Sequence, residues 1–171
     1  MLQPTLTGPT VELRPTVADD WDALFAVASN REIWALHPAH DRWQEPVFRK
    51  YFEDALASGG GLTIRERATG RVIGASRYAP DPDDAARCEI GWTFLARDHW
   101  GGATNREVKR LMIGHLLEHF GVATFMVGEG NLRSRRALEK IGARPTDRVE
   151  TRVLAGRESR HLIYEIDRVL A

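Results

Sequence analysis

Cys88-Glu89-Ile90-Gly91-Trp92-Thr93-Phe94-Leu95 and, after Ala96, Arg97-Asp98-His99-Trp100-Gly101-Gly102-Ala103-Thr104-Asn105 form the stretch that decides the fold. The first half is the clearest strand pattern in the chain, an alternating run with aromatic and β-branched residues. Beyond the second half the period changes. Val108, Leu111, Met112, His115, Leu116, His119 and Phe120 recur at helical spacing, and Gly121 predicts the stop. A strand, a glycine-containing loop and a long amphipathic helix therefore follow one another. Small residues let a backbone approach a ligand closely. A helix start adds unpaired N–H groups and a partial positive charge. Together they suit a pyrophosphate without any basic side chain. A Gly-Gly before a helix is also an ordinary turn. The loop is neither a P-loop nor a dinucleotide fingerprint, since it lacks Gly-Lys-Ser/Thr and a third glycine at the required spacing.

Upstream, Val11 to Arg14 alternates as a short strand. Trp21, Leu24, Phe25 and Ala28 make a helical stripe behind Asp19 and Asp20. A second helix starts near Pro46, turns Phe48, Tyr51, Phe52, Ala55 and Leu56 inward, and ends at Gly59-Gly60-Gly61. Leu62 to Arg67 and Val72 to Tyr78 read as strands around the turn Ala68-Thr69-Gly70. Downstream, Thr124 to Val127 is a short strand. Leu132 to Ile141 is a helix capped by Gly142, and Arg148 to Leu154 and Arg160 to Ile166 are closing strands around Ala155-Gly156-Arg157. The order β-α-α-β-β-β-α-β-α-β-β predicts a mixed α/β fold. With no repeat or long linker, residues 1–171 read as one domain.

The chain has 171 residues, 43% apolar and 28% charged, the composition of an ordered globular protein. Lys plus Arg and Asp plus Glu are 24 each. This balance gives no overall attraction to nucleic acid or to an anionic membrane, so neither is expected as a partner. The single Cys88 makes no internal disulfide, and the N-terminus lacks a signal-peptide pattern. The expected location is cytoplasmic.

Glu89 to Ala143 as a whole resembles the GNAT superfamily of N-acetyltransferases, and within it the RimJ/RimL-like group that acetylates N-terminal alanines of ribosomal proteins. The carriers are Trp-Gly-x-small-x-x-x-Glu, from Trp100 to Glu107, and Asn-x-x-Ser-x-x-x-x-x-Lys-x-Gly, from Asn131 to Gly142. The resemblance implies a central, twisted, mostly antiparallel sheet of about seven strands, flanked by about four helices and splayed at the cofactor site. It implies acetyl-CoA as cofactor and an amine of a small molecule or peptide as acceptor, and it suggests a homodimer. The pantetheine arm would pair with the strand at Trp92, Phe94 and Leu95. The pyrophosphate would sit on backbone N–H groups of Trp100, Gly101, Gly102, Ala103, Thr104 and Asn105, with Arg97 also counted among the cofactor-binding residues. Asp98 replaces the Gln or Arg usual in the superfamily, and Ala103 the second glycine; neither change removes a backbone donor.

Asn131 matches the family asparagine that contacts the cofactor arm, and it is equally a good helix N-cap. The tyrosine that many members use as acid is here Leu138. The resemblance passes that role to Ser134, which also reads as a solvent-facing helix serine. Glu89 is the candidate base, six residues before Leu95, and also reads as a plain cross-strand glutamate. Arg135 and Arg136 are candidates for the nucleotide phosphate, or simply a solvated face. Trp34 and His37 lie in the segment that helps line the acceptor pocket in the family. His115 and His119 share a helix face without an evident third ligand, so no metal is expected. The function implied is acetyl transfer to a primary amine by direct attack in a ternary complex. A thiol route through Cys88 stays open, as do an inactive CoA-binding module of the same fold and an unrelated α/β domain.

Overall fold

The computed structural model describes residues 1–168. Their strands are β1 (Leu6–Thr7), β2 (Val11–Pro15), β3 (Gly61–Glu66), β4 (Val72–Pro80), β5 (Arg87–Leu95), β6 (Val122–Gly128), β7 (Arg144–Leu154) and β8 (Arg157–Ile166). Their helices are α1 (Trp21–Ala28), α2 (Glu45–Ser58), α3 (Thr104–Leu117) and α4 (Leu132–Lys140). All eight strands form one sheet in the order β1-β2-β3-β4-β5-β6-β8-β7, antiparallel except at β5–β6. The eighth strand, beyond the seven expected, is the two-residue β1, too short to leave a pattern.

Local chemistry explains most boundaries. Gly59 takes a left-handed φ of +67° at the end of α2, which glycine adopts without Cβ strain. The β7–β8 hairpin turns on Ala155 and Gly156, both at positive φ, so Arg157 joins β8. A two-residue turn of that kind matches the twist of its strands. α3 stops at Leu117, short of Phe120, because Glu118, His119 and Phe120 donate their N–H groups to His115 and Leu116 in a tightening last turn. β7 starts at Arg144, earlier than the alternation suggests, because a register shift between Pro145 and Val149 breaks the pattern.

The core has two parts. On one face of the sheet, Val108, Met112 and Leu116 of α3 pack over Leu13, Ile64 and Ile90. On the other, α1 and α2 bring Leu24, Phe48 and Phe52 against Ala75 and Phe94. Glu107 ties the start of α3 to β2 by accepting the N–H groups of Thr10 at 2.8 Å and Val11 at 3.0 Å. No helix of the described residues is long and apolar enough to cross a membrane.

Candidate functional site

The site begins where the sheet comes apart. β5 and β6 pair only from Arg87 to Glu89 against Val122 to Thr124. Beyond that β5 stays with β4 and β6 with β8. The gap opens into a cavity of about 840 Å³, within the range of ligand sites.

A β-bulge shapes its wall. Between the pairs Ala75–Phe94 and Arg77–Gly91, Ser76 faces both Trp92 and Thr93. Trp92 sits at a φ of +53°, unusual for a bulky residue. Its carbonyl accepts the Tyr51 hydroxyl at 2.6 Å, and the Arg77 guanidinium lies 4.4 Å from its ring centre. The extra residue resets which way the strand faces. Cys88 and Ile90 join the core under α3, whereas Trp92 and Phe94 pack on the α1–α2 side. Glu89 points away from Cys88 and thus toward the same side as Trp92. Strict alternation would have separated them.

The loop before α3 is held at its base. Arg71 bridges Glu66 and Asp98 at 2.7 Å each, and His99 lies between Glu66 and the Thr104 hydroxyl. Trp100 donates its Nε1–H to the Leu95 carbonyl at 3.0 Å, with Arg97 and Arg133 guanidinium groups 4.5 and 3.8 Å from its ring. Gly101 has a φ of +76°. Among the described residues, none of the backbone N–H groups from Gly101 to Arg106 has a protein acceptor, and no side chain caps α3. These donors line a concave, positively polarised surface. They fit a pyrophosphate group.

The cavity is bordered by Glu89, Trp92, Phe94, Leu95, Trp100, Gly101, Gly102, Ala103, Asn105, Asn131, Ser134, Arg136, Trp34 and His37, so most residues singled out from the sequence converge there. Arg97, Thr104 and Arg135 do not border it. Arg97 stacks on Trp100, Thr104 pairs with His99, and Arg135 is spent on the Glu129 carbonyl and the Tyr164 hydroxyl. Asn131 caps α4 by accepting the Ser134 N–H. Trp34 is 1% exposed, with its indole N–H donated to the Ala28 carbonyl, so it offers only a wall. His37 accepts the Ala39 N–H on Nδ1, and burial first, then Arg42, pushes it down to about 3. It is neutral at ordinary pH, with its remaining proton on Nε2. Burial, opposed by Arg152, holds Glu89 above the usual carboxylate range. Cys88 is 0% exposed on the other face, and burial pushes its thiol up to about 12.

Four residues of this region escaped the sequence reading. Lys109 is 8% exposed and donates to the Thr93 hydroxyl at 3.0 Å. Burial alone pushes it down to about 8. It lies three residues before Met112 on the apolar face of α3, a signal visible in the helical spacing. Tyr51 read only as a core aromatic. Arg42 and Arg77 carried no signal, because a loop has no period and Arg77 alternates like any strand residue. Away from the cavity, His115, Glu118 and His119 bring one ligand atom each within 4.8 Å of one another at the end of α3.

A family model described as an acetyltransferase (GNAT) domain matches residues 10–144. No curated protein matches the chain. Several solved structures do. A GCN5-related N-acetyltransferase from Brucella melitensis superposes with a TM-score of 0.82 at 19% identity, over 96% of this chain and 78% of that one. The acetyltransferase from Agrobacterium tumefaciens str. C58 gives 0.72 at 22% identity, over 96% and 95%. Mycobacterium smegmatis RimJ, in complex with CoA-disulfide, gives 0.72 at 19% identity, over 96% and 87%. At these identities the likeness is one of fold, a mixed α/β sheet flanked by helices.

Proposed function

The chain belongs to the GNAT acetyltransferase family and uses acetyl-CoA, and we propose that it acetylates a primary amine, such as a peptide or other α-amine, by direct attack in a ternary complex. Residues 1–171 act as one acetyltransferase domain in this reading. The observation that carries it is the gap between β5 and β6, which runs from the unpaired N–H groups of Gly101 to Arg106 to the half-buried Glu89.

The coenzyme supplies an activated thioester when bound. Gly101, Gly102, Ala103 and Asn105 hold its pyrophosphate through backbone N–H groups, and Arg136 reaches the nucleotide phosphate. The backbone of Trp92, Phe94 and Leu95 would orient the arm, and a backbone N–H of that strand would serve the carbonyl oxygen that gains charge. Glu89 takes the proton of the attacking amine, directly or through water, with the raised pKa that such a base needs. Asn131 fixes the start of α4, and the Ser134 hydroxyl offers a proton to the departing sulfur. Trp34 and His37 close the acceptor side. The buried, undissociated Cys88 takes no part. A homodimer would use the free edge of β7, where Val149 and Val153 are 40% and 69% exposed.

The test is thiol release from acetyl-CoA over a panel of amines, with both substrates varied. Intersecting initial-velocity lines, and turnover of peptides with a free but not a blocked α-amine, are expected. Parallel lines with acetyl trapped on the protein would sink direct attack. Turnover of side-chain amines only would sink the α-amine assignment.

A further inference from the structure

The acceptor side of the cavity has an excess of positive charge that acetyl transfer by itself does not require. Arg42 borders the cavity from the loop ahead of α2. Its guanidinium lies 5.2 Å from the Trp34 ring centre and 5.1 Å from that of Tyr51, so two aromatic faces fix its orientation. Among the described residues it has neither a carboxylate within salt-bridge distance nor a side-chain hydrogen bond. Arg42 is half-buried, and on the other side of Tyr51 the buried Arg77 likewise has no carboxylate within salt-bridge distance. It donates to the Tyr51 carbonyl, and its Nε has no partner.

Buried guanidinium groups are costly unless an anion compensates them. The protein supplies only distant ones: Asp41 acts on Arg42, and Asp54 and Glu89 on Arg77, without a salt bridge, and Glu89 is the one carboxylate that borders the cavity among the described residues. The coenzyme phosphates have cations of their own. Arg106 on α3, with Arg136 and Lys140 on α4, borders the cavity beside the N–H cradle. Arg42 belongs to neither helix and sits on the α1–α2 side, the side that Glu89 and Trp92 face. The neutral His37 adds a hydrogen-bond donor beside it rather than a charge.

We infer that the acceptor amine carries a carboxylate, which Arg42 binds while Glu89 faces the amine. This inference rests on the proposed transfer to an amine. An α-amino acid has this chemistry, and so does a peptide whose first residue is acidic. A planar guanidinium held against two rings presents a fork that fits a carboxylate in two parallel hydrogen bonds.

The experiment compares acceptors that differ only in that group: alanine against alaninamide, and Asp-Ala-amide against Asn-Ala-amide. For the wild type, kcat/KM should favour the carboxylate member of at least one pair by tenfold or more. The pair that shows it tells a free amino acid from an acidic peptide. In Arg42→Met, which keeps the stacked stem, that preference should fall below about threefold through KM, and Arg42→Lys should keep part of it. No preference in the wild type overturns the inference whatever the variants do. An equal loss for both members, or a loss of acetyl-CoA binding by calorimetry, assigns Arg42 to the fold or to the coenzyme and also overturns it. Calorimetric titration of the CoA-bound wild type with the same four compounds gives a second readout. If no amine is turned over, the proposed function fails, while selective binding of the carboxylate members still supports the Arg42 site. Equal binding of all four, or none, removes it.

Discussion

Single side chains here are set by burial. Glu89 is kept above the usual carboxylate range mainly by desolvation, so it becomes a base only as pH rises through that raised value. The rate should therefore rise with pH on the acid side. Glu89→Gln should remove that limb and lower kcat by roughly 10²–10⁴, the usual worth of a general base. A pH–rate profile of both proteins checks it, and an unchanged limb would move the base elsewhere. Lys109 runs the other way. Its folded pKa of about 8 lies below the ordinary 10.5. The unfolded chain then holds more protons between those values, and stability from this group rises with pH across them. Below pH 8 the buried charge costs about 3 kcal/mol in the ligand-free protein. Lys109→Met should raise the unfolding midpoint at pH 7 and raise it less at pH 10. Cys88→Ala should keep full turnover and lose about 1 kcal/mol of stability to a small cavity. A loss of turnover at normal coenzyme binding would reopen the thiol route.

Elements place those residues. The bulge in β5 turns Glu89 and Trp92 to one side, and Tyr51 of α2 latches it by donating to the Trp92 carbonyl at 2.6 Å. Burial pushes the phenol up to about 12, so it stays a donor at ordinary pH. Tyr51→Phe removes the donor to the part-buried Trp92 carbonyl, at about 1 kcal/mol. It should lower kcat more than it changes the affinity for acetyl-CoA. The loop before α3 is the second such element. Gly101→Glu combines a left-handed φ of +76° with a negative charge on an anion cradle. Calorimetry should show acetyl-CoA binding weakened by tenfold or more, and wild-type affinity in the variant would remove the loop from the site.

Across the whole molecule, the sheet is incomplete until something fills it. β5 and β6 share three pairs, and α3 and α4 converge on the opening from different parts of the chain. A ligand that bridges them binds only the folded state. Acetyl-CoA at 100 times its dissociation constant should add about 2.7 kcal/mol. That raises the unfolding midpoint by roughly 5–10 °C for a chain of this size. A scan with and without the coenzyme measures it, and an unmoved midpoint would contradict binding across the gap.

Periodicity determined the elements, because helical and strand spacings are local properties. The order of strands and helices, the loop ahead of α3 and the caps at Gly59 and Gly142 were all legible in that way, and the motif from Trp100 to Gly142 pointed to the coenzyme. Boundaries shifted where local order failed, at the α3 end, the Pro145 region and the two-residue β1. What only the tertiary structure decided is facing and burial. The bulge that brings Glu89 and Trp92 to one side depends on the β4 partner, which strict alternation in β5 does not encode. Arg135 and Arg136 are neighbours in sequence, yet Glu129 and Tyr164 draw the first away while the second borders the cavity. Lys109, Arg42 and Arg77 carry charges that look solvated in sequence. Their meaning comes from the rings and strands packed around them, because the cost of a charge depends on its surroundings and the surroundings come from distant residues.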